Sequence, residues 1–456
     1  MSTPPADAKV LRPITGGIAM SAVSRILVAI TGTVTTIVVA RLLGPAGAGS
    51  FAVALTLVVM LTTFSTLGVE HGVAYYVSSG RWAPRAALRS ARRVALATGS
   101  VAALVGLAAQ VLVPSAFAGL STASIVLVVA AMPFALLWFY SSYVALAMDR
   151  YEGFVVAPAV QSTVAMALVL ALGLTFGLIG ALVALTASHL VAAAATLRIL
   201  HGLPERGGDG APRQLRRAVG FGIKGYAGNA LQLLNMRLDV FIVAAVVGAA
   251  AVGQLAVAVA VTGVLWLLPQ ALSEVLFPRV AALSAAQGTD VDARWHREMV
   301  ETKGVRHVVL LITAASVVMA AALILLVTPV FGAKFSPAVE LGLILLPGVA
   351  FFGVGQVLSA TIVGRGRPEY TLYVAVAVTP VTVAGYLLAV PALGATGAVL
   401  VKTLSYALST ILTVAFYRRV TGGAPVRLFV PTREELRDLR NLAPQIRRWA
   451  VGTLRR

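Results

Sequence analysis

Residues 44–54 read Gly-Pro-Ala-Gly-Ala-Gly-Ser-Phe-Ala-Val-Ala, and residues 248–258 read Gly-Ala-Ala-Ala-Val-Gly-Gln-Leu-Ala-Val-Ala, with six of the eleven positions identical. Near the end of each half of the chain, Gly177-Leu-Ile-Gly-Ala181 recurs as Gly394-Ala-Thr-Gly-Ala398. Because these blocks follow each other in the same order, they indicate an internal repeat. The repeat predicts two halves that share one structure and one orientation.

The composition around these blocks is that of a chain that crosses a membrane many times. The 456 residues are 59% hydrophobic and 12% charged, and the mean hydropathy is +0.91. The charged fraction is about half that of a soluble domain, and a helical span needs about 20 mostly apolar residues. Charge clusters and Gly/Pro positions divide the chain into twelve predicted spans: 14–41, 50–79, 94–114, 122–148, 154–176, 178–200, 219–247, 252–277, 305–328, 338–363, 371–390 and 397–417.

The predicted spans are helices, because they are rich in Ala, Leu and Gly and lack the alternation of barrel strands. Together with the repeat, they predict an all-α polytopic membrane protein with two pseudo-symmetric six-helix lobes around a central cavity. The N-terminal lobe is predicted over residues 1–200 and the C-terminal lobe over residues 201–418. Residues 419–456 are predicted to form a basic amphipathic tail that lies on the anionic lipids of the inner leaflet.

The distribution of charge predicts the orientation. Lys and Arg number 36 against 17 Asp and Glu, and 30 of the 36 fall in alternate loops and the two terminal segments. The positive-inside rule therefore places both termini in the cytoplasm. The basic excess indicates membrane topology and an anionic cargo rather than nucleic acid. Short outer loops, the absence of cysteine and the absence of a Walker sequence argue against an enzyme and against a bound cofactor.

Five ionisable residues lie inside the predicted spans and are the predicted substrate-binding residues: Arg25, Glu70, Lys224, Arg237 and Asp239. A charge at the centre of a span costs about 3 kcal/mol, so each indicates a partner or a function. For Arg25 two interpretations stay open, an ion pair with Glu70 and a cation facing a hydrated cavity that holds an anionic cargo. For Lys224, a cavity role competes with snorkelling to the cytoplasmic face. Arg237 and Asp239 are about 200° apart on a helix and are predicted to face different partners.

The sequence also predicts the surroundings of three other polar residues inside the spans. Lys402 lies near the outer end of the last span, where snorkelling outward is favoured over a position that faces the cavity. His71 and His189 lie in different spans without an acidic cluster or a third histidine, so neither indicates a metal site. Both are predicted to be core or interface histidines.

The stretch Ala40-Arg-Leu-Leu-Gly-Pro-Ala-Gly-Ala-Gly-Ser-Phe51, followed by Leu67-Gly68, resembles the first two helices of bacterial polysaccharide flippases. These belong to the multidrug/oligosaccharidyl-lipid/polysaccharide exporter superfamily. Further similarities lie in residues 237–242, 267–280 and 331–335. The resemblance implies two lobes that alternate access to a central cavity and carry undecaprenyl-pyrophosphate-linked glycan to the outer leaflet. By position, it makes Arg25 the counterpart of a basic first-helix residue that matters for the anionic headgroup in lipid II flippases.

Physical chemistry supports an anionic lipid cargo independently. A pyrophosphate keeps its charge, so its path must be hydrated and lined by cations while the polyprenyl tail stays in lipid. Moving two negative charges outward gains about 4.6 kcal/mol per 100 mV of membrane potential, so ATP is not required; whether Na⁺ or H⁺ is coupled stays open. The alternative is a multidrug/cation antiporter of the same superfamily, which predicts a cavity dominated by carboxylates.

Overall fold

The computed structural model describes residues 14–148, 150–203, 211–285 and 291–421, and within these ranges the chain is helical and contains no β-strand. The predicted all-α fold is therefore confirmed. The helices are α1 Ile14–Thr66, α2 Val69–Ser78, α3 Pro84–Leu112, α4 Thr122–Val129, α5 Met132–Ala147, α6 Tyr151–Ile199, α7 Ala211–Val246, α8 Ala249–Gly263, α9 Leu267–Ala285, α10 Val291–Phe331, α11 Pro337–Gly364 and α12 Glu369–Thr421.

Three helices are too long to be single membrane spans. Helices α1, α6 and α12 contain 53, 49 and 53 residues, whereas about 20 residues cross the hydrocarbon core. Each is interrupted at one glycine with a positive φ: Gly44 at 65°, Gly177 at 58° and Gly394 at 61°. A Cβ on Gly180 would overlap the carbonyl oxygen of Leu172, from which a straight helix would separate it by about 12 Å. The chain of α6 therefore turns back on itself at Gly177.

Nine helical runs in the described ranges are long and apolar enough to cross a membrane. Three of these runs contain the interrupting glycines, and dividing them there gives the twelve spans predicted from the sequence. Large apolar side chains such as Leu104, Val111 and Leu388 are exposed on these helices, as helices surrounded by lipid require. The chain is a multi-pass membrane protein.

The repeat read from the sequence is also a structural repeat. Gly177 has φ 58° and ψ −132°, and its counterpart Gly394 has φ 61° and ψ −138°. After each reversal the returning segment packs in the same register, because a Cβ on Gly180 or on Gly397 would overlap a backbone carbonyl oxygen eight residues earlier. Glycine is required at the reversals for its positive φ and at the contacts for its lack of a side chain.

The described residues pack into two compact units. One takes in the described parts of residues 1–257 with 330–335, and the other those of residues 258–329 with 336–456. Helices α2, α3, α5 and α7 share a buried apolar cluster in the first unit, and α9, α10, α11 and α12 share one in the second. The predicted lobe boundaries stay a prediction, and residues 422–456 of the predicted tail lie outside the described residues.

The predicted span 50–79 is not one continuous helix. Helix α1 ends at Thr66 and α2 begins at Val69, because Leu67 and Gly68 have φ values of 48° and 72°. A left-handed residue ends an α-helix, and leucine rarely adopts this conformation. The prediction of an unbroken second span was wrong at this point. The predicted span 122–148 is likewise divided, into α4 and α5.

Lys402 is a second correction. Its residue is 2% exposed, and its neighbours on the same face of α12, Val399 and Tyr406, are also buried. Snorkelling requires a side chain that lies along the outer surface of the helix bundle. Since this face of α12 is covered by protein, the prediction that Lys402 reaches the outer headgroups was wrong.

Candidate functional site

The break between α1 and α2 exposes the last carbonyl groups of α1, which have no helical partners. The Tyr226 hydroxyl donates a hydrogen bond to the carbonyl oxygen of Phe64 at 2.7 Å. The Tyr140 hydroxyl lies 3.2 Å from the carbonyl oxygen of Ser65 and 3.4 Å from that of Thr66. Because Tyr140 belongs to α5 and Tyr226 to α7, two neighbouring helices fix the position of this break.

Glu70 lies in the first turn of α2, directly after the break, and is 6% exposed. Its Oε1 is 3.8 Å from Nε2 of His71, which is longer than a hydrogen bond. Its Oε2 is buried without a hydrogen-bond partner among the described residues. No Lys or Arg among those residues forms an ion pair with Glu70, so the pair with Arg25 that the sequence left open is not observed.

His71 connects this carboxyl with the surface. Its side chain is 48% exposed, and the edge of its ring meets the Tyr143 ring at a centroid distance of 5.6 Å. Of the predicted core or interface position, the core is therefore wrong for His71, because this residue points about 100° away from the buried Glu70 around the helix, and an interface position stays a prediction. His189 is buried, with Nδ1 at 2.8 Å from the carbonyl oxygen of Leu185, so the same prediction is confirmed there.

Helices α2 and α7 approach each other backbone to backbone beside Glu70. A Cβ on Gly222 would overlap the carbonyl oxygen of Gly68, and a Cβ on Gly68 would overlap the backbone of Gly222. Small residues allow helices in membranes to approach this closely. At the exposed end of the contact, the rings of Tyr75 and Phe221 stack at 4.8 Å with an interplanar angle of 9°.

A second glycine contact joins the two repeated sequence blocks. A Cβ on Gly49 would overlap the carbonyl oxygen of Ala249, and a Cβ on Gly253 would overlap that of Pro45. The repeat offset of 204 residues relates Pro45 to Ala249 and Gly49 to Gly253, so each half of the contact mirrors the other. Gly49 and Gly253, which are identical in the two blocks, are therefore required by their mutual packing.

Arg25 lies on a face of α1 that differs from its apolar face. Its side chain is exposed, and Gly32 and Thr36 follow it at helical spacing on the same side. The space around Gly32 is open. About 100° and 140° further around the helix, α1 exposes Ile26 and Ile30, each more than half accessible. Helix α1 thus has one exposed face suited to lipid and another that is small and polar and carries Arg25.

The other three predicted site residues lie on α7. Lys224 is close to Gly222 along the helix, and its side chain lies outside the described residues. Arg237 is half-buried and Asp239 is fully buried; that they face different partners stays a prediction. Arg237 is about 17 Å along the helix from Tyr226, so the structure does not bring it to Glu70. Within the described ranges, no group of three His, Asp or Glu side chains is placed to hold a metal ion.

One buried ion pair was missed by the sequence analysis. Glu301 on α10 is fully buried, and Arg365 after α11 binds its carboxylate at 2.8 Å and 2.5 Å through two nitrogens. The hydroxyl of Tyr417 on α12 donates a third hydrogen bond to Glu301 at 2.7 Å. This cluster ties the ends of three helices together. In the sequence, the turn at residues 364–368 indicated the position of Arg365, but no pattern indicated that Glu301 is its partner.

Comparison with known proteins gives a family and a fold. A family model described as polysaccharide biosynthesis protein matches residues 14–284, more than half of the chain. The structure is similar to that of the lipid II flippase MurJ in an inward closed conformation, at 12% identity over 90% of this chain and 89% of that chain, with a TM-score of 0.68. It is similar to an inward-facing multidrug resistance MATE family transporter of the MOP superfamily, at 16% identity over 88% and 98%, also with a TM-score of 0.68.

A MOP superfamily transporter from Pyrococcus furiosus is also similar, at 15% identity over 89% of this chain and 95% of that chain, with a TM-score of 0.53. Among curated proteins, none matches the chain significantly. At these identities the structural likeness concerns the fold. The predicted resemblance to polysaccharide biosynthesis proteins is confirmed by the family model, and the predicted polytopic helical fold is confirmed by the similar structures.

Proposed function

Because the chain belongs to the family of polysaccharide biosynthesis proteins, we propose that it is an alternating-access lipid flippase. The proposed cargo is an oligosaccharide on a polyprenyl pyrophosphate of the undecaprenyl type, moved from the inner to the outer leaflet of a bacterial inner membrane. The fold shared with MurJ and MATE transporters supports this proposal, since repeated halves are the usual basis of alternating access. Both termini lie in the cytoplasm in this proposal, in line with the positive-inside rule.

The observation that carries the proposal is the position of Arg25. A guanidinium on the apolar face of α1 would have to snorkel out of the lipid, but Arg25 is on the small, polar face. An exposed cation on such a face is suited to a hydrated passage and to bidentate contacts with a pyrophosphate. An antiporter for organic cations would instead place carboxylates along such a face.

The two glycine contacts suit a mechanism in which the ends of the passage open in turn. In the predicted topology, the contact of Gly49 with Gly253 lies next to the outer loops, and the contact of Gly68 with Gly222 lies toward the cytoplasm. Both contacts consist of backbone against backbone, so they separate without the unlocking of interdigitated side chains. We infer that the inner contact opens to admit the lipid and that the outer contact opens to release it.

The membrane potential supplies a driving force in this proposal. Two net negative charges that move outward gain about 4.6 kcal/mol per 100 mV when no counterion accompanies them. The lipid tail stays in the bilayer, so only the headgroup needs a polar path. The flippase accordingly requires cations along that path and no nucleotide site.

The test is lipid flipping by the purified protein in liposomes. The probe is a fluorescent N-acetylglucosamine on undecaprenyl pyrophosphate, whose inner-leaflet fraction is protected from an impermeant quencher. We expect Arg25→Ala to slow flipping by about tenfold to a hundredfold, the loss of one charge-assisted contact of about 1.5–3 kcal/mol. Arg25→Lys should retain part of the rate because it keeps the charge and loses the bidentate geometry.

Arg89→Ala is the matched control, because Arg89 is exposed near the start of α3. It should flip the probe at the parent rate. Equal rates for the parent and Arg25→Ala would remove Arg25 from the site. Failure of the parent protein to move the probe, together with proton-driven export of an organic cation, would replace the flippase with the antiporter.

A further inference from the structure

Glu70 is a buried carboxyl whose surroundings leave a binding capacity unused. It is 6% exposed, its Oε2 has no hydrogen-bond partner among the described residues, and no Lys or Arg of those residues pairs with it. A carboxylate buried without a cation is costly, whereas the neutral carboxylic acid is tolerated. The site therefore fits a small cation that cancels one charge, and a proton on the carboxyl group does this without any further ligand.

We infer that Glu70 carries the proton to which transport is coupled, and that it holds this proton while α2 and α7 are in contact. The inference rests on the proposed function and assigns a coupling ion to it. Glu70 follows the Leu67–Gly68 break and lies beside the contact of Gly68 with Gly222. Separation of α2 from α7 exposes the carboxyl to water, which stabilises its charged form.

His71 provides the route by which the proton moves. Its Nε2 lies 3.8 Å from Oε1 of Glu70, and its side chain is half exposed. The distance exceeds a hydrogen bond, so the proton passes after a small side-chain rotation or through one water molecule. In the step, the imidazolium N–H bond breaks and a carboxyl O–H bond forms, so that imidazolium and carboxylate become imidazole and carboxylic acid.

The other titratable groups near Glu70 are tyrosines. Tyr140 and Tyr143 of α5 and Tyr226 of α7 interact electrostatically with its carboxyl. Helix α3 contributes no titratable side chain within ion-pair distance of Glu70 in the described ranges, and the side chain of Lys224 on α7 lies outside them. Neutral tyrosines do not balance the charge of a carboxylate, so the proton remains the balancing cation.

The direction of coupling follows from the topology. A proton taken up while the inner contact is closed comes from the outer side, and it is released to the cytoplasm when the contact opens. One proton then enters as one lipid leaves, and both movements gain energy from a potential that is negative inside.

The experiment measures the α2–α7 contact without any lipid cargo. The chain has no cysteine, so Arg81→Cys and Arg213→Cys give a unique pair for nitroxide labels. Both residues are exposed, and the Gln214 side chain donates to the Arg81 carbonyl oxygen at 3.2 Å, which places the two segments side by side. Dipolar broadening between the labels, measured from acidic to alkaline pH, should decrease as the proton leaves Glu70.

Glu70→Gln imitates the neutral acid and should keep the broadening constant across that pH range. Glu340→Gln is the matched control, because Glu340 is an exposed carboxyl on α11, and it should retain the response of the labelled parent. His71→Phe should retain the equilibrium response and slow its appearance after a pH jump.

A pH response that survives in Glu70→Gln would overturn the assignment. A response to Na⁺ at constant pH that is lost in Glu70→Gln would replace the proton with Na⁺ and overturn it equally. Because these measurements need no glycan, they succeed or fail independently of the flipping assay. The two assays therefore distinguish two cases. A flippase that is not coupled to protons moves the probe without a pH response of the labels, and a proton-responsive protein that is not a flippase shows the pH response without moving the probe.

Discussion

Glu70 and Glu301 are both buried carboxyls, and their surroundings are opposite. Glu301 receives two hydrogen bonds from Arg365 and a third from Tyr417. Glu70 has a histidine at 3.8 Å and one oxygen without a hydrogen-bond partner among the described residues. The carboxylate of Glu301 is fully compensated in a fixed geometry, whereas that of Glu70 is compensated only if a cation joins it.

The difference separates a structural charge from a functional one. A buried ion pair with complete hydrogen bonding resists change, because removal of either partner leaves an uncompensated charge. A buried carboxyl without a cation responds to protonation and to the opening of its cover. The cluster at Glu301 therefore has a structural role, and Glu70, whose Oε2 has no hydrogen-bond partner among the described residues, is the residue that we propose for coupling.

The largest effect is expected from Arg365→Met, which leaves Glu301 buried without its cation. We expect a loss of about 3–5 kcal/mol in the free energy of unfolding, because the charge becomes uncompensated. The measurement is the thermal unfolding of the purified protein in detergent. Addition of Glu301→Gln to this variant should recover part of the loss, since it removes the stranded charge.

Arg367→Met is the control for this prediction. Arg367 pairs with Glu369 at 3.4 Å on the surface, and its loss should cost less than about 1 kcal/mol. Glu70→Gln should change the stability less than Arg365→Met does, because it breaks no ion pair with a Lys or Arg of the described residues. Similar losses in all three variants would erase the distinction between the two carboxyls.

A smaller effect is expected where α2 and α7 touch beside Glu70. Gly222→Ala introduces a Cβ that overlaps the Gly68 carbonyl oxygen, so we expect a loss of about 1–3 kcal/mol from overpacking. The nitroxide pair at positions 81 and 213 should report a separated contact at every pH. Glu70 would then be exposed to water, and the coupling response should disappear.

Gly220→Ala tests the same helix without the contact, because nothing lies within 4 Å of a Cβ at Gly220. Replacement of glycine by alanine inside a helix should raise the stability by up to about 1 kcal/mol. The two substitutions, two residues apart, are thus expected to change the free energy of unfolding in opposite directions. A gain in stability from Gly222→Ala would show that the close contact with Gly68 is not maintained.

The smallest effect is expected at the tyrosines whose hydroxyl groups bind the last carbonyl oxygens of α1, at the break between α1 and α2. Tyr226→Phe removes the 2.7 Å hydrogen bond to the Phe64 carbonyl oxygen and should cost about 1 kcal/mol in unfolding free energy. Tyr75→Phe is the control, because the hydroxyl of Tyr75 makes no hydrogen bond within the described ranges and its ring is exposed. No difference between the two variants would mean that the break is held by packing alone.

The sequence predicted the features that are local or repeated along the chain. Hydrophobic length gave the twelve spans because each must cross the same thickness of hydrocarbon. The glycine blocks gave the repeat, and Gly177 and Gly394 proved to share one backbone conformation. The ionisable residues inside the spans were marked as costly by their position alone, which singled out Glu70 and Asp239 before any contact was known.

What the sequence by itself determined was therefore the class of protein, its spans, its repeat and the residues that need an explanation. The tertiary structure decided which of these ionisable residues have a partner that compensates their charge. Glu301 meets Arg365 64 positions and Tyr417 116 positions away along the chain, and Lys402 is buried by the packing around α12. Partnership between charges depends on which distant segments come within 4 Å of each other, and no local pattern records that distance.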